Sequence, residues 1–186
     1  MTTSPALPTA ADVLRFWFDE ATPQQWFAKD AAFDAAIRTH FAALHAQAAQ
    51  GELWHWRGDA QGRLAEILVL DQFSRNLHRD TPAAFAQDGM ALVLAQEALA
   101  QGLDAQLEPA QRAFLYMPYM HSESPRVQEE SVRLFTALGN PGSLHFAHAH
   151  RDIIARFGRY PHRNAALGRA STAEELAFLQ QPGSSF

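Results

Sequence analysis

Three stretches of the chain set ionisable and amide side chains into segments that are otherwise apolar. The first is RLAEILVLDQFSRNLHRD, residues 63–80. On a helix Asp71 falls on the line through Leu64, Ile67 and Leu68, so its carboxylate faces the expected core. Arg75 follows one turn later on the same face, and Gln72 and Asn76 flank it at the same spacing. Asp and Arg four residues apart can neutralise each other, which is a purely structural use. Buried, such a pair gains little over apolar residues, which invites a functional use as well.

The second stretch is YMPYMHSES. Pro118 is expected to end one helix and Ser124-Pro125 to open the next, leaving His121, Ser122 and Glu123 on a tight turn. An imidazole two residues from a carboxylate can act as an acid/base pair, the carboxylate fixing the tautomer; an ordinary solvated turn with a capping serine fits the same residues. The third runs from Ser143 to Thr172. His150 shares a helical face with Phe146, Ile153, Ile154 and Phe157 and should point inward. His145, His148 and Asp152 share another face at a spacing that can converge on a metal ion. A solvated polar face explains that pattern better, and no metal site is assigned. Beyond Gly158 the loop carries Arg159, His162, Arg163, Asn164 and Arg169, held by Pro161 and Gly168. Guanidinium forks and backbone N–H groups there make an anion cradle, or else a loop bonded to neighbouring carbonyls that tethers the last helix.

Helices must position these groups. Asp30 precedes a stripe of Phe33, Ile37, Phe41, Leu44 and Ala48, with Gly51 as its stop. Thr81-Pro82 opens another helix, with a restart at Asp88 and an end at Gly102; Ser124-Pro125 opens one that ends at Gly139; Leu144–Phe157 is closed by Gly158. Thr172 and Glu175 form a capping box ahead of the last. With helices at Val13–Phe18, about Ala60 to His78, and Pro109–Met117, the expectation is an all-α chain of about eight helices. They should pack as antiparallel hairpins, in a compact bundle or a right-handed array of the tetratricopeptide-repeat kind. Trp17, Trp26, Trp54 and Trp56 read most simply as core.

The 186 residues suit one domain, 1–186, with loosely ordered tails at 1–10 and 182–186. Hydrophobic residues at 47% against 19% charged make a globular composition. A net charge of −5 speaks against broad nucleic-acid or acidic-membrane surfaces. Lys29 is the sole lysine; the other cationic side chains are arginines, suited to holding carboxylates and phosphates. The absence of cysteine removes disulfides, cysteine nucleophiles and thiolate metal sites. With neither an export signal nor an apolar run of ~20 residues, a cytoplasmic protein is expected.

The motifs VLRFWF, QWF, LDQFSRNLHRDTPAAFAQD, YMPYMHSES and HRDIIARFGRYPHRNAALGRAST resemble, in this order and over nearly the whole chain, the bacterial family catalogued as domain of unknown function 924. Tyr160 departs from the phenylalanine usual there. The resemblance implies an all-helical, tetratricopeptide-like fold. It also implies that Asp71, Gln72, Arg75, Asn76, His121, Ser122, Glu123, His150, Arg159, His162, Arg163 and Asn164 are shared with the family, without an assigned role. The expectation is that the three stretches meet in an interhelical pocket for a small anionic or polar molecule. Arg75, Arg159 and Arg163 would hold the anion, and Gln72, Asn76, Ser122, His162 and Asn164 would bind alongside. Its catalytic form is cofactor-free, metal-free acid/base chemistry of a hydrolase-like kind, with His121 or His150 moving a proton under orientation by Glu123 or Asp71. The competing expectation is an adaptor that binds a peptide or protein partner.

Overall fold

The computed structural model describes residues 6–185, so the tail expectation for 1–5 and 186 lies outside the described residues. Those residues are helical or irregular, with no strand among them. The chain is all-α. It divides into two compact units, residues 1–79 with 83–107, and residues 80–82 with 108–186.

The first unit starts with α1 (Ala10–Arg15), which continues as a π turn over Phe16–Glu20. There follow α2 (Pro23–Phe27), α3 (Ala31–Ala49) and α4 (Ala60–Leu68). A second π turn, Val69–Phe73, joins α4 to α5 (Ser74–Leu77), and α6 (Asp88–Ala100) completes the unit. Asp30 caps α3 by accepting from the Ala32 and Phe33 N–H groups, as its type and position predict. α4 packs on α1 and α6, and α3 on the π turn and α5. Aromatic rings fill the seam: Trp17 stacks on Trp26 with centroids 6.4 Å apart, and Phe41 and Phe73 stand 5.0 Å apart.

Two local features hold α4 in place. Glu66 is fully buried, and Arg57 grips its two oxygens at 2.6 and 2.7 Å. A desolvated carboxylate needs such a paired, hydrogen-bonded partner. At Gly62 the helix touches backbone directly: a Cβ there would lie 1.9 Å from the Trp56 carbonyl oxygen. Trp54 departs from the core expectation at 68% exposure. It opens the 3₁₀ turn Trp54–Gly58, and Leu53 just before it is the side chain that is buried.

The second unit contains α7 (Pro109–Met120), α8 (Pro125–Leu138), α9 (Pro141–Phe157) and α10 (Ala173–Phe178). α8 packs against both α7 and α9. Pro118 does not end α7, which runs on to Met120. The ring removes its own N–H bond to the preceding turn, and the helical bonding resumes after it, the His121 N–H reaching the Met117 carbonyl. Gly158 ends α9 at φ 69°, and its N–H bonds the Ile154 carbonyl. The Thr172/Glu175 capping box opens α10 as expected.

Candidate functional site

The π turn carries the first predicted stretch. Leu64 to Ser74 is buried throughout, so Asp71 and Gln72 are interior groups. Gln72 Nε2 donates to Asp71 Oδ2 at 2.5 Å. Arg75 bonds Asp88 with both terminal nitrogens, at 2.8 and 3.1 Å, and bonds the Asp71 carbonyl; the Asp71 carboxylate stands at 3.5 Å. Asp88, thirteen residues on, is thus the nearer counter-ion of Arg75. Burial alone would lower the Arg75 pKa, but the carboxylates of Asp71 and Asp88 outweigh it and raise it. Asn76 donates to Asp34, which also takes a two-point ion pair from Arg79. Burial pushes Asp34 up, yet the bonds from Arg79 and Asn76, with the charge of Arg38, hold it below the usual carboxylate range. His45 lies beside this network, its Nε2 2.8 Å from Ser74 Oγ, and burial with neighbouring His78 pushes it down to about 4.

The second and third stretches come together in the second unit, around Tyr160. This tyrosine is fully buried, and its hydroxyl donates to the Met120 carbonyl at 2.6 Å. Two imidazoles and a guanidinium pack on it, and a third imidazole packs on one of the two. The His150 ring is 5.6 Å from Tyr160, His162 is 5.5 Å away, and His121 lies 6.4 Å from His150. Arg163 lays its guanidinium carbon 4.5 Å from the tyrosine centroid, within cation–π range. His150 and Arg163 are each 6% exposed. The inward placement of His150 matches its predicted face, although Phe146 on that face is 51% exposed.

His150 is a neutral imidazole of defined tautomer. Its Nδ1 lies 2.8 Å from the Phe146 carbonyl, which can only accept, so the proton sits on Nδ1 and Nε2 keeps its lone pair. Burial first, and then the neighbouring His121, Arg163 and His162, push its pKa down to about 3 against the pull of that carbonyl. It is therefore a weak base at neutral pH.

The carboxylates nearby are already committed to arginines and backbone. Glu123 accepts from Arg169 at 2.6 and 2.9 Å and from the Tyr160 N–H at 2.7 Å. Burial raises Glu123, but Arg169, that N–H and the charge of Arg163 bring it below its ordinary value. Arg159 pairs two-pronged with Glu175 at 2.6 and 2.8 Å and bonds the Ala170 carbonyl. Asn164 donates to Ser171 and accepts from Arg169. Of the loop cations, Arg159 and Arg169 thus serve to fasten the loop to Glu175 and Glu123. Ser122 is half-buried and holds the turn by accepting the Ser124 N–H.

Gln128 is a site residue that the sequence reading missed. Fully buried on α8, its Nε2 lies 2.8 Å from the Met120 carbonyl, 2.7 Å from that of Ser122 and 2.8 Å from the Tyr160 hydroxyl. The amide thereby satisfies carbonyls left over at the end of α7 and ties the His121 turn to Tyr160. The signal was available: Gln128 and Ser131 stand in the buried line of Leu134 and Phe135, the same polar-in-apolar pattern that singled out Asp71.

A surface hollow of about 250 Å³ in the first unit is lined by Phe16, Phe33, Glu20 and Gln25 among others. It holds none of the predicted residues, and its carboxylate is paired with Arg15. Among the described residues no group of three or more His, Asp or Glu side chains is arranged to hold a metal ion. No helix among them is long and apolar enough to cross a membrane.

The fold and this cluster define an all-α protein with a buried tyrosine in its second unit that packs against two histidines and an arginine. Residues 13–183 match the bacterial protein family of unknown function DUF924, and the chain belongs to that family. The solved structure of a protein of unknown function, ATU0120 from Agrobacterium tumefaciens, is 42% identical with a TM-score of 0.88; the match covers 92% of this chain and 96% of that one. No curated protein matches the chain.

Proposed function

We propose that the protein binds a small anionic or strongly polar molecule through the cluster around Tyr160. The observation that carries this reading is the convergence of His150, His162 and Arg163 on one buried ring, with His121 packed against His150. Imidazole and guanidinium N–H groups held by packing are suited to bind carboxylate or phosphate oxygens. The Glu123 carboxylate beside them already accepts three hydrogen bonds, which favours an added anion over a bound cation. Proton transfer is not the role that fits His150, because its lowered pKa makes it a poor general base near neutrality; with its Nδ1–H given to the Phe146 carbonyl, it positions the cluster while His121, His162 and Arg163 supply the donors. Glu123 is likewise a carboxylate kept charged by its partners, which suits an orienting role and not that of an acid. Asp71, Gln72, Arg75 and Asn76 enter the proposal only as a polar network of the first unit.

A thermal-shift screen against sulfate, phosphate, phosphorylated sugars and dicarboxylates tests this. A ligand at a hundred times its Kd adds ~2.7 kcal/mol of stability. Arg163→Gln and His121→Gln should each lose most of the shift, whereas Arg133→Gln, altering an exposed pair with Glu130, should keep it. A hit retained in full by both site variants would reject the assignment.

A further inference from the structure

We propose that the surface hollow of the first unit binds a small organic ammonium, a protonated amine carried on a compact apolar or aromatic body. Its residues and its chemistry are separate from those of the anion cluster around Tyr160.

The π turn Phe16–Glu20 builds one rim. Its bonding runs from the Ala21 N–H to the Phe16 carbonyl, five residues back, and so brings Phe16 and Glu20 to the same hollow. Turns of this kind are rare in helices and occur often at functional sites. Phe33 on α3 lies parallel to Phe16 with centroids 5.4 Å apart, which gives the hollow an aromatic floor, and Ala32 and Ala36 keep the α3 wall low. At about 250 Å³ the hollow is smaller than the ~300–1,000 Å³ of pockets for drug-sized ligands, so its occupant is small. Two polar groups set its chemistry. Gln25 Oε1 accepts from the Thr22 N–H and hydroxyl in the α2 capping box, so its NH2 is the end left to a ligand. Glu20 gives one oxygen to Arg15 Nε at 3.1 Å and keeps the other as an acceptor. That pair is a weak lock, since the two side chains are 60% and 55% exposed. Arg15 also bonds Asp12 through Nη2, so its guanidinium keeps a counter-ion when Glu20 turns to a ligand. A carboxylate beside aromatic rings draws an organic cation by its charge and by the ring quadrupoles. Exposed Asp19, next to Glu20 in the same turn, adds to the negative potential.

Phenethylammonium chloride is the probe, and phenylacetate, which carries an aromatic ring with the opposite charge, is its control. Amide NMR of the labelled full chain at neutral pH and low ionic strength reads the hollow itself. The amine should shift the Ala21, Ala32 and Ala36 signals and the Gln25 side-chain NH2 saturably, with a Kd of about 1 mM or tighter that weakens as salt is added. Phenylacetate should leave those signals unmoved, and any binding it shows at the Tyr160 cluster is read separately from the signals there. Glu20→Gln should weaken the amine about fivefold, and Ala32→Leu, which fills an exposed edge of the hollow, should abolish its binding. Arg15→Gln should act in the opposite sense and tighten the amine a few-fold, because Glu20 loses its competing cation. Weaker amine binding in Arg15→Gln, or shifts at the hollow caused by phenylacetate, would overturn the proposal. So would binding that survives Glu20→Gln and Ala32→Leu unchanged, or unmoved signals at the hollow with about 10 mM amine.

Discussion

Two buried neutral histidines make the folded state sensitive to mild acid. His150 is held down to about 3 and His45 to about 4, while both return to about 6.5 on unfolding. The native pKa is the lower one, so these groups cost nothing well above pH 6.5, and stability is lost as pH falls from there toward the native values. The unfolded chain then binds protons that the native one refuses. Between pH 7 and 5, at 1.36 kcal/mol per pKa unit, each histidine costs about 2 kcal/mol, so the pair costs about 4 kcal/mol. Glu123 and Asp34, whose native values are lowered, stabilise above their unfolded pKa, and that contribution is lost mainly below about pH 5. Urea unfolding at half-unit steps from pH 7.5 to 5 measures the slope directly. His150→Gln and His45→Gln should each remove about half of it, whatever they do to the stability at pH 7.5. A His150→Gln protein that loses as much stability on acidification as the wild type would refute the assignment of a buried neutral imidazole.

Gly62→Ala should destabilise by about 3 kcal/mol or more in chemical denaturation, because a Cβ 1.9 Å from the Trp56 carbonyl oxygen overwhelms the ~1 kcal/mol that alanine gains in helix propensity. Arg57→Met should cost ~3–5 kcal/mol at neutral pH by stranding the fully buried Glu66, and Arg57→Met with Glu66→Leu should recover much of that loss. Gln128→Met, which leaves the Ser122 carbonyl and its neighbours without their amide donor, should cost about 2 kcal/mol and broaden the His121 imidazole NMR signal as the turn loosens.

Helix starts were readable wherever a local cap sets them. Asp30 and the Thr172/Glu175 box each bond backbone within three residues, so the signal and its partner lie in the same short stretch. Pro118 misled because a proline removes only its own N–H bond and crowds the turn before it, which leaves Tyr119 and Met120 able to continue the helix. The π turn at Val69–Phe73 left no mark, since a segment buried on every face has no polar stripe whose period could reveal a wider turn. For the site, His150 was legible because one helical face defines inside. The partners of the loop arginines were not: Glu175 is sixteen residues from Arg159 and Glu123 forty-six from Arg169, separations that only the packed chain closes. Arg75 shows the same limit, since its four-residue spacing pointed to Asp71 and the shorter bonds go to Asp88.

The central claim is that the groups around Tyr160 receive an anion. Side-chain imidazole NMR of the labelled wild-type protein, titrated with sulfate or with the best anion from the screen, observes those groups themselves. Saturating shifts of the His121, His150 and His162 signals, with His40 and His45 of the first unit unmoved, are the predicted result. Unmoved cluster signals at a ligand concentration that stabilises the protein would contradict it.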